Sequence, residues 1–247
     1  MSYFWLTLER IPDDLGFSLY DRTHLCWLLG ICAGIVLLAW VCRRICEDTC
    51  RRLLQGIGWG MLGLEVLKVA VLLSTGQFRA AYLPLDLCGL SVFLEFAAVW
   101  KPHPLLLELL YSLSLPGACL ALLFPNWFPL PLWNFFSIHS FVIHGLLVAV
   151  PVIFLARGTL RPDWKRLPFC FTMVAAACIP IVWVNHRFHT NFFFLSWPTS
   201  GSPLIWFGRE FGNYRIGLPV LMALIWTGMY GIPALCRLIR RRIAKKQ

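Results

Sequence analysis

Charge is scarce in this sequence. Of its 247 residues, 14% are Asp, Glu, Lys or Arg and 59% are hydrophobic, whereas soluble domains carry about 25% charged residues. That excludes an ordinary soluble domain. There is no glycine-rich phosphate loop, so no nucleotide chemistry is expected. No set of Cys, His, Asp and Glu forms a convincing ligand quartet, so neither metal nor cofactor is expected. No basic motif interleaved with aromatics points to nucleic acid. Internal repeats and low-complexity tracts are absent too. Residues 1–22 are not expected to be a secretory signal, because Arg10, Asp13, Asp14, Asp21 and Arg22 interrupt them and no small-residue cleavage pattern follows the first apolar run.

What is present is a series of apolar runs of spanning length, near 23–42, 53–74, 82–100, 104–124, 136–156, 167–186 and 215–236. The pattern predicts an all-α, polytopic membrane protein, a seven-helix bundle with no room for a soluble domain. Three regions follow: an N-terminal interfacial arm, 1–22, a transmembrane domain, 23–236, and a basic tail, 237–247. Phe4, Trp5, Leu8 and Ile11 recur at helical spacing and suit an arm lying in the interface.

The net charge of +10 fits topology better than nucleic-acid binding. Arg43, Arg44, Arg51, Arg52, Lys101, Arg157, Arg161, Lys165, Arg166, Arg237, Arg240, Arg241, Arg242, Lys245 and Lys246 fall on one side of the alternating loops, and Arg10, Arg22, Arg79, Arg187, Arg209 and Arg215 on the other. Fifteen against six places the N-terminus outside and the C-terminus in the cytoplasm. The basic tail is suited to anionic lipid. The protein is thus expected to be integral and multi-pass, in the inner membrane if bacterial, with the lipid bilayer as its partner.

Most of the ten cysteines lie in or beside apolar runs, where a free thiol behaves as a small hydrophobe. Cys42, Cys46 and Cys50 repeat every fourth residue and are read as packing or headgroup contacts. Gly30 and Gly34, then Gly56, Gly60 and Gly63, read as close-packing positions of the first two spans. Pro180 is expected to bend the sixth span, and the aromatic stretch 187–214 to form a lid, an interfacial flap or part of an aromatic belt.

The ionisable residues inside the spans are the informative ones, since such groups are costly in a bilayer and commonly functional. They are expected to converge toward the outer face. Glu65 and Lys68, three apart, are helical neighbours, read either as an orienting pair beneath a polar cavity or as a self-neutralised structural pair. Asp86 and Cys88 open the third span, with Pro84, Cys88, Ser91 and Glu95 on one stripe. A cysteine near a helix N-terminus meets the positive dipole end, which favours a nucleophile. His139 and His144 open the fifth span about 140° apart, so one faces Cys88 as a base while the other supports. Asn185 and His189 share a face at the end of the sixth span, with Asn191 beyond. An Asn amide there suits a developing oxyanion, or else caps the helix end.

"LPLDLC" at 83–88, "HSFVIHGLLV" at 139–148 and "VNHRFHTNFFFL" at 184–195 resemble the YwaF-type integral membrane proteins, a family similar to a vertebrate multi-pass acyltransferase that remodels ether phospholipids. The resemblance implies that Cys88 is the acyl-accepting nucleophile and His144 its base. It implies further that Asn185 and Asn191 are the paired asparagines of the last block, and that Glu65 is the acidic residue of the second span. Position 86 departs from the pattern, where His is more usual than Asp, and the stretch after Asn191 matches loosely. The expected function is a lipid acyltransferase acting on membrane phospholipid or lysophospholipid through a cysteine thioester. The main rival is a transporter or proton-coupled protein using Glu65, Lys68, Asp86 and the histidines. A retinal-type receptor with Lys68 as Schiff base has no other support.

Overall fold

Helix starts and stops are set by short-range signals that the apolar runs alone do not contain. In the computed structural model, which describes residues 3–12, 15–198 and 202–244, α1 (Arg22–Arg44) opens at Asp21, whose carboxylate accepts the His24 N–H at 2.8 Å. Helix α2 (Glu47–Ser74) starts ahead of its apolar run because Glu47 and Asp48 occupy its first turn, where carboxylates meet the positive end of the dipole. A 3-10 turn, Ala80–Tyr82, precedes α3 (Leu87–Trp100), which Asp86 caps by accepting the Gly89 N–H at 2.7 Å. The fourth span is composite: α4 (Pro104–Leu109), a π-helical turn Leu110–Ser114, then α5 (Leu115–Leu123). Pro116 lacks an N–H and its ring crowds the carbonyl four residues back, which accounts for the widened turn before it. Helix α6 (Phe135–Arg157) opens on Asn134 and closes on Gly158 at a φ of 74°, the left-handed cap that glycine adopts without strain.

Among the described residues every regular element is helical, and seven helices are long and apolar enough to cross a membrane. Asp13, Asp14 and Gly201 lie outside the described residues, as do the side chains from residue 235 onward, including Cys236 and the basic tail.

The chain divides into two units at Arg161 and Pro162. In the first, α6 is the hub, packed against α1, α2, α3 and α5. Of its apolar window 61% is buried, against 6% for α1, so α6 is the helix on which a water-excluded site is best held. Gly145 admits the Ile31 side chain, and Gly58 admits Val99 and Phe96. The close-packing role expected of Gly30, Gly34, Gly56, Gly60 and Gly63 is corrected here: a Cβ at any of them meets nothing within 4 Å. Spacing identifies small residues, but the face that packs is set by larger neighbours. At the other end of the hub, the Arg157 guanidinium donates to the Cys42 and Ile45 carbonyls, closing the α1–α2 turn over Cys42 and Cys50, both buried.

The N-terminal arm is tied down. Among its described residues before α1, only Leu8–Arg10 is helical, as one 3-10 turn. Gln77 accepts the Thr7 N–H at 2.9 Å and donates to the Trp5 carbonyl at 2.8 Å. The Asn134 side-chain amide donates to the Tyr3 and Leu6 carbonyls, each at 2.8 Å, while its oxygen accepts the Phe136 and Ser137 N–H groups. The arm therefore bridges the end of α2 and the start of α6.

The second unit holds α7 (Leu167–Phe188), α8 (Pro203–Phe211) and α9 (Gly217–Ala244). Helix α7 continues through Pro180 to Phe188. The aromatic stretch 187–214 contains a 3-10 turn, Phe192–Phe194, and α8, whose Leu204 and Phe207 are buried. A Cβ on Gly217 would lie 2.6 Å from the Phe207 ring, so that position requires glycine.

Candidate functional site

Three ionisable side chains from α2 and α6 meet in the first unit. Lys68 Nζ lies 2.6 Å from Glu65 Oε2, with the two side chains 15% and 9% exposed. Among the described residues Glu65 Oε2 has no hydrogen-bond partner, and the contact is an ion pair. The other carboxylate oxygen, Oε1, lies 3.7 Å from His139 Nε2. That nitrogen is buried without a hydrogen-bond partner, and so is the Ser137 hydroxyl two residues earlier. An orphaned buried polar group costs about 1–3 kcal/mol. Two at one helix start mark a place built to meet a further polar group. The His139 ring packs 6.0 Å from Phe135, which lies 5.3 Å from Trp5 of the arm. The arm is thus linked through Phe135 to the buried charges.

His144 lies on the next turns of α6. Its Nδ1 is 2.7 Å from the Ser140 carbonyl oxygen. A carbonyl only accepts, so Nδ1 carries the proton and Nε2 presents a lone pair, the form a general base needs. The imidazole stacks on Trp127, centroids 5.0 Å apart and planes 17° apart.

Cys88, half-buried, lies in the first turn of α3. Asp86, two residues earlier, caps the same turn through the Gly89 N–H. Among the described residues no hydrogen bond joins Cys88 to a histidine. Gly89 fixes the cysteine's backbone: a Cβ there would lie 2.7 Å from the Pro84 Cα and carbonyl carbon. The 83–86 loop therefore folds directly onto the start of α3. Further along α3, Ser91 donates to the Leu87 carbonyl, and the fully buried Glu95 accepts from the Ser114 hydroxyl at 2.6 Å, leaving Oε2 without a hydrogen-bond partner.

Asn185, His189 and Asn191 belong to the second unit. The Asn185 amide donates to the Phe192 carbonyl, and its oxygen accepts the Phe192 N–H and the Thr190 hydroxyl. Asn191 donates to the Trp197 carbonyl and accepts the Ser196 and Trp197 N–H groups. Both asparagines are engaged in shaping the turn after α7. His189 is the left-handed cap of α7, at a φ of 53°, and its side chain is exposed.

Among the described residues no three His, Cys, Asp or Glu side chains group as metal ligands. The arrangement offers a thiol at the start of α3, an oriented imidazole on α6, and a buried group of Glu65, Lys68 and His139 on α2 and α6. A family model, that of the TMEM164 family, matches residues 19–230. The chain belongs to the TMEM164 family. It is accordingly an integral, multi-pass membrane protein with seven apolar helices. No curated protein and no solved structure matches it. In this TMEM164-family chain the residues that sequence reasoning missed are uncharged: Trp127, Gln77, Asn134 and Ser137. Asn134 alone carried a readable signal, as a helix N-cap before an apolar run.

Proposed function

We propose that this TMEM164-family protein transfers acyl chains between membrane lipids through Cys88 and His144. The observation that carries this reading is the tautomer of His144, fixed by Ser140, on a helix that packs directly against α3, whose first turn carries Cys88. A thiol flanked by carboxyl groups needs a base at the moment of attack, and the apo geometry of such pairs tightens with substrate bound. Cys88 Sγ attacks the ester carbonyl carbon while His144 Nε2 takes the thiol proton. The ester C–O bond then breaks, and the same proton goes to the departing lipid alkoxide, leaving a thioester. A lysolipid hydroxyl reverses these steps and frees the thiol. The substrate class is phospholipid and lysophospholipid, reached from the outer face, with the N-terminus outside and the C-terminus cytoplasmic, as the basic loops favour.

The test is exchange of a labelled acyl chain between phosphatidylcholine and a lysophospholipid by protein purified in detergent. Cys88→Ala abolishes it with the thermal midpoint retained. Full exchange in that variant ends the proposal. One observation favours a second reading, proton-coupled transport: Glu95 and Glu108 are both fully buried, and intramembrane carboxyls commonly line such paths. In that case Glu95→Gln, not Cys88→Ala, removes function in sealed vesicles.

A further inference from the structure

We infer that the Trp127 indole N–H is the donor that receives the carbonyl oxygen of the acyl ester at this site, an assignment that rests on the acyl-transfer reading above. Trp127 sits in the connection between α5 and α6 and is 6% exposed. Among the described residues its Nε1 is buried with no hydrogen-bond partner, although a buried indole N–H ordinarily finds one. Nothing in the packing calls for the nitrogen. The ring stacks on His144 and meets Phe141 edge-on at 5.3 Å, and phenylalanine would supply both contacts without stranding a donor. The stack puts the indole ring against the imidazole, and the N–H is buried rather than turned to the lipid.

The chemistry at that place calls for such a donor. As the Cys88 Sγ–carbon bond forms, the carbonyl π pair moves to oxygen and charge develops there, while the Asn185 amide, the donor the sequence suggested, already donates to the Phe192 carbonyl. A pre-placed neutral N–H in a water-excluded site stabilises that charge without reorganising at the moment of reaction. The proton that moves is the thiol's, carried by His144 to the leaving alkoxide. Trp127 keeps its own proton throughout and only shares it with the oxygen.

Two measurements test this on the full chain in lipid nanodiscs. In the exchange assay, Trp127→Phe keeps the stack and removes the N–H. It is expected to lower kcat about 100-fold with KM and the thermal midpoint near wild type. Independently of turnover, protein labelled with 15N at indole nitrogens is titrated with a phosphatidylcholine analogue whose ester is replaced by an amide. The Trp127 signal, assigned by its loss in Trp127→Phe or Trp127→Tyr, is expected to move downfield. Wild-type kcat in Trp127→Phe, or an indole signal indifferent to the amide lipid, overturns the inference. A signal that moves while Cys88→Ala retains full exchange keeps the donor and discards acyl transfer instead.

Discussion

His144 Nδ1 is held 2.7 Å from the Ser140 carbonyl oxygen, one turn back on the same helix, so the backbone itself selects the imidazole tautomer. In many sites a second side chain does this work. Here the orienting group cannot be deleted by mutation, and the stack on Trp127 supplies the rest of the restraint. His144→Ala is expected to lower acyl exchange by about two to four orders of magnitude, the usual range for a general base. His139→Ala costs far less, because that ring faces Glu65. Equal losses in the two variants would show that the base has been misassigned.

The Glu65–Lys68 pair responds differently to single and double substitution. Removing one partner of a buried pair strands the other and costs roughly 3–5 kcal/mol. Glu65→Gln and Lys68→Met alone should each lower the thermal midpoint sharply, and the double variant should recover most of the loss. Thermal unfolding of the four proteins in detergent forms the cycle. Additive losses would mean that the contact contributes little.

Gly89→Ala tests the placement of Cys88. The new methyl would meet the Pro84 backbone at 2.7 Å, and backbone cannot swing aside as a side-chain tip can. A destabilisation of about 1–3 kcal/mol is expected, with a larger fractional loss of exchange, because the cysteine moves with its neighbour. An active, fully stable Gly89→Ala protein would place the nucleophile elsewhere.

The arm carries its own pH dependence through Glu9. Burial acts to raise its pKa, but the hydrogen bond donated by Tyr82 at 2.7 Å, local hydrogen bonds and the Arg79 charge outweigh it, and the carboxyl lies below its ordinary value of 4.5. A depressed pKa means the ionised form is held in the folded state. Its contribution is therefore complete above about 4.5 and is lost as the pH falls through the lower folded value. Proteolytic nicking of the arm should accelerate below pH 4.5 in wild type, and Glu9→Gln should show the faster rate already at pH 7. An unchanged rate in Glu9→Gln at neutral pH would remove Glu9 from the tether.

Sequence reading located Glu65, Lys68, Asp86, Cys88, His139 and His144 because ionisable and nucleophilic groups stand out against apolar runs. It also found the seven spans, which length and hydropathy define. It did not find the partners that organise them. Asn134 reaches back to Tyr3 and Gln77 to Trp5, contacts that join distant parts of the chain through neutral amides, whose composition is that of any loop. Trp127 was indistinguishable from the other tryptophans, since an orphaned N–H is a property of surroundings and not of residue type. The π-helical turn at Leu110–Ser114 follows from Pro116 only once the helix is known to continue past it.

Asn134 uses one amide for two purposes. Its oxygen caps α6 and its nitrogen holds the arm, so neither can be released while the other stays intact at full strength. The arm and the first turn of α6 should therefore open as one cooperative unit. Amide hydrogens at Phe136 and Ser137 would then exchange with solvent at rates that track that of Leu6, whose N–H bonds the Tyr3 carbonyl, although more than a hundred residues separate them in the chain. For a lipid approaching from that end, access would be timed by a single local unfolding event rather than by the independent fraying of two segments.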